Sequence, residues 1–444
     1  MRKPSSPLVA GLVAPRAAIG PLYRAPEPQR LAALIPDARL DDATRGRVET
    51  QAKLLLADLR KAGTEGWVEQ FLQEYSLTTD EGVALLSLAE AYLRVPDPLT
   101  AADLVRDKLG RADWSAHRGA SDSVLVNSAT LGLILARGLM DDEAGALKKL
   151  VGRLGEPAIL KAVATAMQMM GEAFVLGRTI EEALKRADRR GSVAFRHSFD
   201  MLGEAAKTAA DADRYLKAYV DAIEVIGRSE GGKGDMHARD SISVKLSAIH
   251  PRYETAKDAR AVPELIERTL RLARLAKLHG IGLTIDAEEA ERLEMSLDII
   301  AAVAADPDLT GWDGLGMAVQ AYQRRAPAVI AWVNALGLAT GRRITVRLVK
   351  GAYWDSEIKR GQERGLADYP VFTRKAATDV SFLACAKAML ASPGIYPAFA
   401  THNALTVATI LDWAGERRDF EFQRLHGMGA GLYERLIAEQ GVAA

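Results

Sequence analysis

In the second half of this chain, ionisable and amide side chains stand at the ends of short apolar runs: Asp200, Lys245, Asp286, Gln320, Arg347, Lys350, Thr401, His402, Asn403 and Gln423. Lys245 lies in SISVKLSAIH, flanked by Val244 and Leu246. An ammonium in that setting can bind a carboxylate, act as a base of lowered pKa or form a Schiff base. Asp286, in LTIDAEEAERLE, is placed to orient a cation or a ring, whereas Glu288, Glu289 and Glu291 suit a helix N-terminus and solvent. Gln320 and Arg347 are donors that suit a ring with carbonyls and an electron-accepting nitrogen. The run Lys350-Gly351-Ala352-Tyr353-Trp354 joins a tight turn to two aromatics that can stack a purine or cap a ring. On their own, those aromatics would read as packing. Thr373-Arg374-Lys375 and Thr401-His402-Asn403 are polar enough to hold a pyrophosphate from two sides. His402 lacks a second ligand at metal spacing, and His117, His250, His279 and His426 read as structural or surface groups.

These residues need a scaffold that brings strand ends together. Segments 195–200, 243–247, 283–286, 316–320, 345–350 and 399–403 read as buried strands, with a seventh at 420–425. The stretches between them are long enough for a helix and its loops. Strands alternating with helices imply a parallel sheet, and similar repeat lengths favour a closed barrel, whose chemistry sits at the C-terminal mouth. Eight units close such a barrel. Only seven are legible before a last helix at 430–439 and the terminal GVAA, so the expected fold is a distorted TIM (βα)8-type α/β barrel, incomplete at its C-terminus. Residues 227–240 (GRSEGGKGDMHARD) form a loop within it. No GxGxxG follows a strand and no GxxxxGK[ST] occurs, so Rossmann and P-loop readings lack support.

Upstream, three- and four-residue apolar spacing predicts helices over 50–62, 65–74, 79–94, 100–109, 121–139 and 143–153. The expected organisation is an extended Pro-rich arm at 1–40, a helical domain at 41–190 and the barrel at 191–444. Pro7 and Pro15 break the apolar run behind Arg2 and Lys3, which argues against a signal peptide. Lysine plus arginine and aspartate plus glutamate balance at 58 each over 444 residues, so no basic footprint for nucleic acid is seen. The single cysteine, Cys385, excludes an intrachain disulfide and fits a reducing cytoplasm.

SVKLSAIHPRYE, LTIDAEEAERLE, GMAVQAYQRR, RLVKGAYWDSEIKRGQ, YPVFTRKAATDVSFLACAKAML, FATHNALT and FEFQRLHGMG resemble the proline dehydrogenase domain of the bacterial bifunctional proline utilization A family. FLQEYSLTTDEGVALLSLAEAYLR and FDMLGEAAKTAADADRYLKAY resemble that family's helical section. The resemblance implies non-covalent FAD and oxidation of L-proline to Δ1-pyrroline-5-carboxylate, with a quinone as electron acceptor. It implies a cytoplasmic protein, with peripheral contact at the inner face of the membrane through the quinone. Carried over by motif, Lys245 would bind the proline carboxylate and Asp286 and Ala287 would organise the substrate side of the flavin. Arg347 and Gln320 would bond the isoalloxazine, with Tyr353 completing the catalytic set. Val349, Gly351, Ala352, Tyr353 and Trp354 would line the flavin. Phe372, Thr373, Arg374, Lys375, Ala400, Thr401, His402 and Asn403 would hold its ribityl, pyrophosphate and ribose groups, and Gln423 and Leu425 would close the pocket.

Three departures from the family pattern shape the expectations. No ribbon–helix–helix segment is legible, so no nucleic-acid partner is expected. No aldehyde dehydrogenase half with its catalytic cysteine is present. A YLVRRLLENGANSSF-like last strand and helix, which would supply an arginine pair for the substrate carboxylate, is also lacking. The expectation is a truncated form with two open sheet edges, weakened for proline by about 2–5 kcal/mol, unless the arm or a neighbouring molecule covers the gap. Two other readings remain: a Schiff-base lyase or aldolase built on Lys245, and an inert flavin-binding domain.

Overall fold

A computed structural model describes residues 11–62, 100, 175–188, 195–230 and 235–444. The helices expected at 65–74, 79–94, 121–139 and 143–153, all but the first residue of 100–109, and His117 lie outside the described residues. The chain divides into two compact units. One comprises Met1–Leu55, Ala187–Arg424 and Gly429–Ala444; the other comprises Leu56–Arg186 and Leu425–Met428.

In the first unit, seven parallel strands run in sequence order: β1 Ser198–Asp200, β2 Ser241–Val244, β3 Gly282–Ile285, β4 Leu315–Gln320, β5 Ile344–Val349, β6 Ile395–Ala400 and β7 Glu421–Gln423. Every expected strand is present, displaced by a few residues at its ends. All six residues of β4 are buried, as a parallel strand covered on both faces requires. The connecting helices are α5 Ala209–Glu230, α6 Asp258–His279, α7 Leu293–Ala304, α8 Ala326–Thr340, α9 Trp354–Glu363, α10 Lys375–Leu390 and α11 Ala404–Ala414, with α12 Ala430–Gln440 after β7. Gly280 and Gly341 end α6 and α8 in the left-handed region (φ 66° and 64°), where a Cβ would be strained.

The gap expected between β7 and β1 is tied at its base. Ala443 forms a parallel bridge with Glu421. The Phe422 N–H donates to the Ala443 carbonyl (2.9 Å), and the Arg196 N–H donates to that of Ala444 (3.0 Å). Val442 is buried there. The expected open edges persist along β1 and β7, which do not pair with each other, and these last residues join the two sides at the base alone.

The N-terminal segment also differs from its expectation. It is helical, not extended: α1 Val13–Ala17, α2 Glu27–Ala38 and α3 Asp42–Ala62. Leu34 and Ala38 of α2 pack with Phe372, Ala377 and Ala384, so α2 lies on α10 rather than over the gap between β7 and β1. Val48 and Ala52 of α3 pack on Ala408 of α11. Ion pairs fix the docking: Arg324, fully buried, meets Glu27 (3.1 Å) and Asp368 (2.6 Å), and Arg16 meets Glu294 and Asp298. Helix α4 Ile180–Asp188, all but its last two residues in the second unit, begins behind Thr179, whose hydroxyl accepts from the Glu182 N–H.

Candidate active site at the C-terminal mouth of the barrel

Side chains alternate across a strand. In β5 this turns Thr345, Arg347 and Val349, all partly exposed, away from the buried Ile344, Val346 and Leu348. Arg347 uses that direction to reach four other strands. Its Nε donates to Gln423 Oε1 on β7 (2.6 Å) and its Nη2 to Ser198 Oγ on β1 (2.7 Å). Its Nη1 donates to Ser243 Oγ on β2 (2.8 Å) and to Asp286 Oδ1 just after β3 (2.7 Å). Gln423 in turn donates to Glu421 (2.6 Å).

Lys245 follows β2, and its Nζ lies between Asp200 Oδ1 (2.6 Å) and Asp286 Oδ2 (3.2 Å). Burial disfavours its ammonium, but the Asp286 and Asp200 carboxylates outweigh that cost and hold its pKa above the usual lysine range. The sequence had left open a lysine of lowered pKa or a Schiff-base nucleophile. Both need a neutral amine, and this arrangement opposes one. Asp200, at the rim, is pushed above the usual carboxylate range by desolvation and then by Asp286.

Gln320, buried at the end of β4, donates to the Ala287 carbonyl (3.3 Å) and accepts from Gln323 Nε2 (2.7 Å). Gly351 has φ 136°, and a Cβ there would lie 2.5 Å from the Tyr322 ring, so the turn needs glycine. Tyr353 precedes α9, and desolvation raises its phenol pKa, with Glu204 and Glu288 adding to the effect. Trp354 is partly exposed and donates its indole N–H to the Phe372 carbonyl (2.9 Å).

Lys350 and Lys375 both contact Asp379, at 2.5 and 2.8 Å. Two cations on one carboxylate leave an excess positive charge beside the N-terminus of α10, which favours an anion. Other expected members of a phosphate cradle use part of their hydrogen-bonding capacity elsewhere. The Thr373 N–H donates to Glu27, and Asn403 caps α11 by accepting from the Thr406 N–H (3.0 Å). Thr401 is buried, its N–H donating to the Gln423 carbonyl (3.3 Å) and its own carbonyl accepting from Tyr433. Burial lowers the His402 pKa, and nearby Arg424 lowers it further. Phe372 is buried against α2, where its ring packs with Leu34 and Ala38. Leu425 falls in the second unit.

Ser198 and Ser243 join the network through Arg347, although their residue types alone gave little sign of it, while Asp200, a strand-end candidate from the start, joins through Lys245. Each serine stands two residues before a strand-end candidate, Ser198 before Asp200 and Ser243 before Lys245, and so on the same face of its strand, which was the available signal. Glu288 corrects a second expectation. It is buried rather than solvated, accepting from the Ser247 N–H (3.0 Å) and pairing with Arg292 (2.8 Å).

Three donors at the mouth are uncommitted among the described residues. A guanidinium has five N–H groups, an ammonium three and a primary amide two. Arg347 uses four, Lys245 two and Gln320 one. One N–H therefore remains on each, around a site whose two cations and two carboxylates balance.

Residues 183–444 match the family model described as proline dehydrogenase, residues 14–60 the proline utilization A proline dehydrogenase N-terminal domain, and residues 67–174 a DNA-binding domain of proline dehydrogenase. That last match stands against the expectation of no nucleic-acid partner. The chain is 48% identical over 437 residues to the bifunctional protein PutA of Escherichia coli, covering 96% of this chain and 33% of that protein. It spans about a third of the length of the curated PutA relatives it matches. It is 29% identical over 284 residues to proline dehydrogenase 1 of Bacillus subtilis subsp. natto, covering 63% of this chain and 81% of that protein. A solved structure of proline utilization A from Bradyrhizobium japonicum superposes with a TM-score of 0.73 at 50% identity, covering 95% of this chain and 43% of that one.

Proposed function

The chain belongs to the proline dehydrogenase family, and we propose that its barrel mouth oxidises L-proline to Δ1-pyrroline-5-carboxylate with the help of non-covalent FAD. The observation that carries this reading is the Lys245–Asp286–Arg347 network with its three uncommitted donors. The donor set fits both guests. The free N–H groups of Arg347 and Gln320 suit the carbonyls and nitrogens of an isoalloxazine, and the free Lys245 N–H suits a carboxylate. A flavin, when bound, supplies the acceptor for one electron pair.

In the oxidation, the C5–H bond of proline breaks with its electron pair leaving as hydride, and the ring nitrogen gives up a proton as the C=N bond forms. The protein's part is to bind, orient and neutralise. Lys245 holds the carboxylate, because its two aspartates keep it charged. Asp286 locks Lys245 and Arg347 in one arrangement, which limits reorganisation during the reaction. Asp200, with its raised pKa and rim position, is suited to take the nitrogen's proton. Val349, Gly351, Ala352, Tyr353 and Trp354 would line the flavin, and Gln423 would hold Arg347 in place. The excess positive charge of Lys350 and Lys375 would face the pyrophosphate, with Arg374, Ala400, Thr401 and His402 around it, and Ala287 would stay with Asp286 on the substrate side of the flavin. Reoxidation by a membrane quinone and a cytoplasmic location complete the proposal. Cys385 accords with a reducing compartment: it is buried, and burial pushes its thiol up to about 12.

The test is anaerobic titration of the flavin-loaded protein with L-proline, followed at the long-wavelength flavin absorption band. Bleaching supports the reading. A flavin that stays oxidised at high proline, or a protein that takes up no flavin, overturns it.

A further inference from the structure

Behind Gln320 runs a chain of hydrogen bonds whose direction is set at one end. The Arg325 guanidinium has donors and no acceptor. Its Nε donates to Gln323 Oε1 at 3.0 Å, which fixes the Gln323 carbonyl toward it. The Gln323 NH2 group is thereby turned to Gln320, where it donates to Oε1 at 2.7 Å. Gln320 then presents its own NH2 group, one N–H on the Ala287 carbonyl and the other uncommitted. A reversed Gln320 amide would set its oxygen against the Ala287 oxygen and its NH2 against that of Gln323.

The end of the chain is held firmly. Arg325 is 2% exposed and donates to the Ala290 carbonyl. It lies 3.5 Å from Glu294, and its guanidinium sits 4.5 Å from the centre of the Tyr23 ring in the N-terminal segment. Burial lowers its pKa to about 10, which still leaves it a cation at neutral pH. The three side chains are all buried, so water cannot re-pair them.

We infer that Arg325, acting through Gln323, determines which end of the Gln320 amide faces the reacting ring, making both of them positioning residues for the reaction. This rests on the flavin reading above. The device supplies a donor where negative charge develops on a ring, and a neutral amide by itself has no such polarity.

The experiment is a double-mutant cycle on the full chain with Gln323→Glu and Gln320→Leu. A carboxylate at 323 only accepts, so Gln320 must turn its NH2 toward it and show its oxygen to the ring. Two quantities are read on flavin-stripped and reloaded protein: the dissociation constant for FAD and the flavin midpoint potential. Losing one donor to the ring weakens FAD binding about tenfold and lowers the two-electron potential by about 30 mV, a further tenfold against the reduced form. With Leu at 320, the same change at 323 alters both by less than about twofold. Gln323→Met, which removes the acceptor without adding charge, enters the same cycle if the glutamate variant does not fold. Equal effects in both backgrounds, or no effect in either, overturn the relay. A wild-type chain that binds no flavin overturns the functional reading instead. The Gln320 side-chain amide resonance then decides the relay, since Gln323→Glu must shift it in the flavin-free protein and an unmoved signal refutes it.

Discussion

Replacing Arg347 by methionine removes a side chain that links β5 to β1, β2, β7 and the end of β3. Arg347 and Asp286 are 14% and 13% exposed, so their pairing is largely shielded from water. Breaking a buried ion pair from one side costs about 3–5 kcal/mol, and the lower end applies because Lys245 still faces Asp286. The two serines can re-pair, their hydroxyls being 3.2 Å apart, but Gln423 Oε1 loses its donor, adding about 1 kcal/mol. The expected loss is therefore about 3–4 kcal/mol. Urea unfolding followed by far-ultraviolet circular dichroism and tryptophan fluorescence measures it, with coincident transitions as the condition for a two-state reading. With Asn at 286 the same substitution leaves no stranded charge, and its cost falls by about 1.5–3 kcal/mol. A loss under about 1 kcal/mol, or strict additivity with Asp286→Asn, would refute the picture of a guanidinium clamp.

Four further outcomes are expected. Gly351→Ala forces a side chain into positive φ and onto the Tyr322 ring, costing about 1–3 kcal/mol, which thermal unfolding with and without FAD will read. Arg324→Met uncouples Glu27 and Asp368 at a fully buried position, and limited proteolysis should cut the segment 11–38 markedly faster than in wild type. The hydrogen bond from Arg324 holds the folded pKa of Asp368 below its ordinary 3.8, so its contribution is present above that pH and is lost as pH falls through the lower folded value. Asp368→Asn should accordingly flatten the urea midpoint below about pH 4 and leave its slope near neutrality unchanged. Lys245, raised above its ordinary 10.5, contributes stability below that pH and loses it only as pH rises through the higher folded value. Borohydride with a carbonyl substrate at neutral pH should therefore trap no adduct, and a trapped one would reinstate the Schiff-base reading.

What was legible in the sequence follows from local rules. Apolar runs closed by Asp200, Lys245, Asp286, Gln320 and Arg347 marked the strands, because a strand buried on both faces tolerates a polar group mainly at its end. Gly351 marked its turn, because only glycine accepts that φ beside Tyr322. The motifs around these residues carried the family. Other features depend on partners far away along the chain. The N-terminal segment looked extended because of its prolines, yet Pro28 sits in the first turn of α2, where a missing N–H costs nothing, and packing on α10 completes the helix. Glu288 looked solvated because its neighbours are acidic, but the Ser247 N–H and Arg292 hold it inside. Phe372 and Asn403 belong to cofactor-like motifs, and the fold adds packing on α2 for the one and capping of α11 for the other. The sequence by itself determined the strand order, the residues at the mouth and the family. Tertiary structure alone decided that Arg347 crosses the lumen, that Lys245 stays charged between two carboxylates, and that Arg325 directs Gln320. Each of those depends on side chains brought within hydrogen-bond distance from different strands and loops, and local sequence carries no record of that distance.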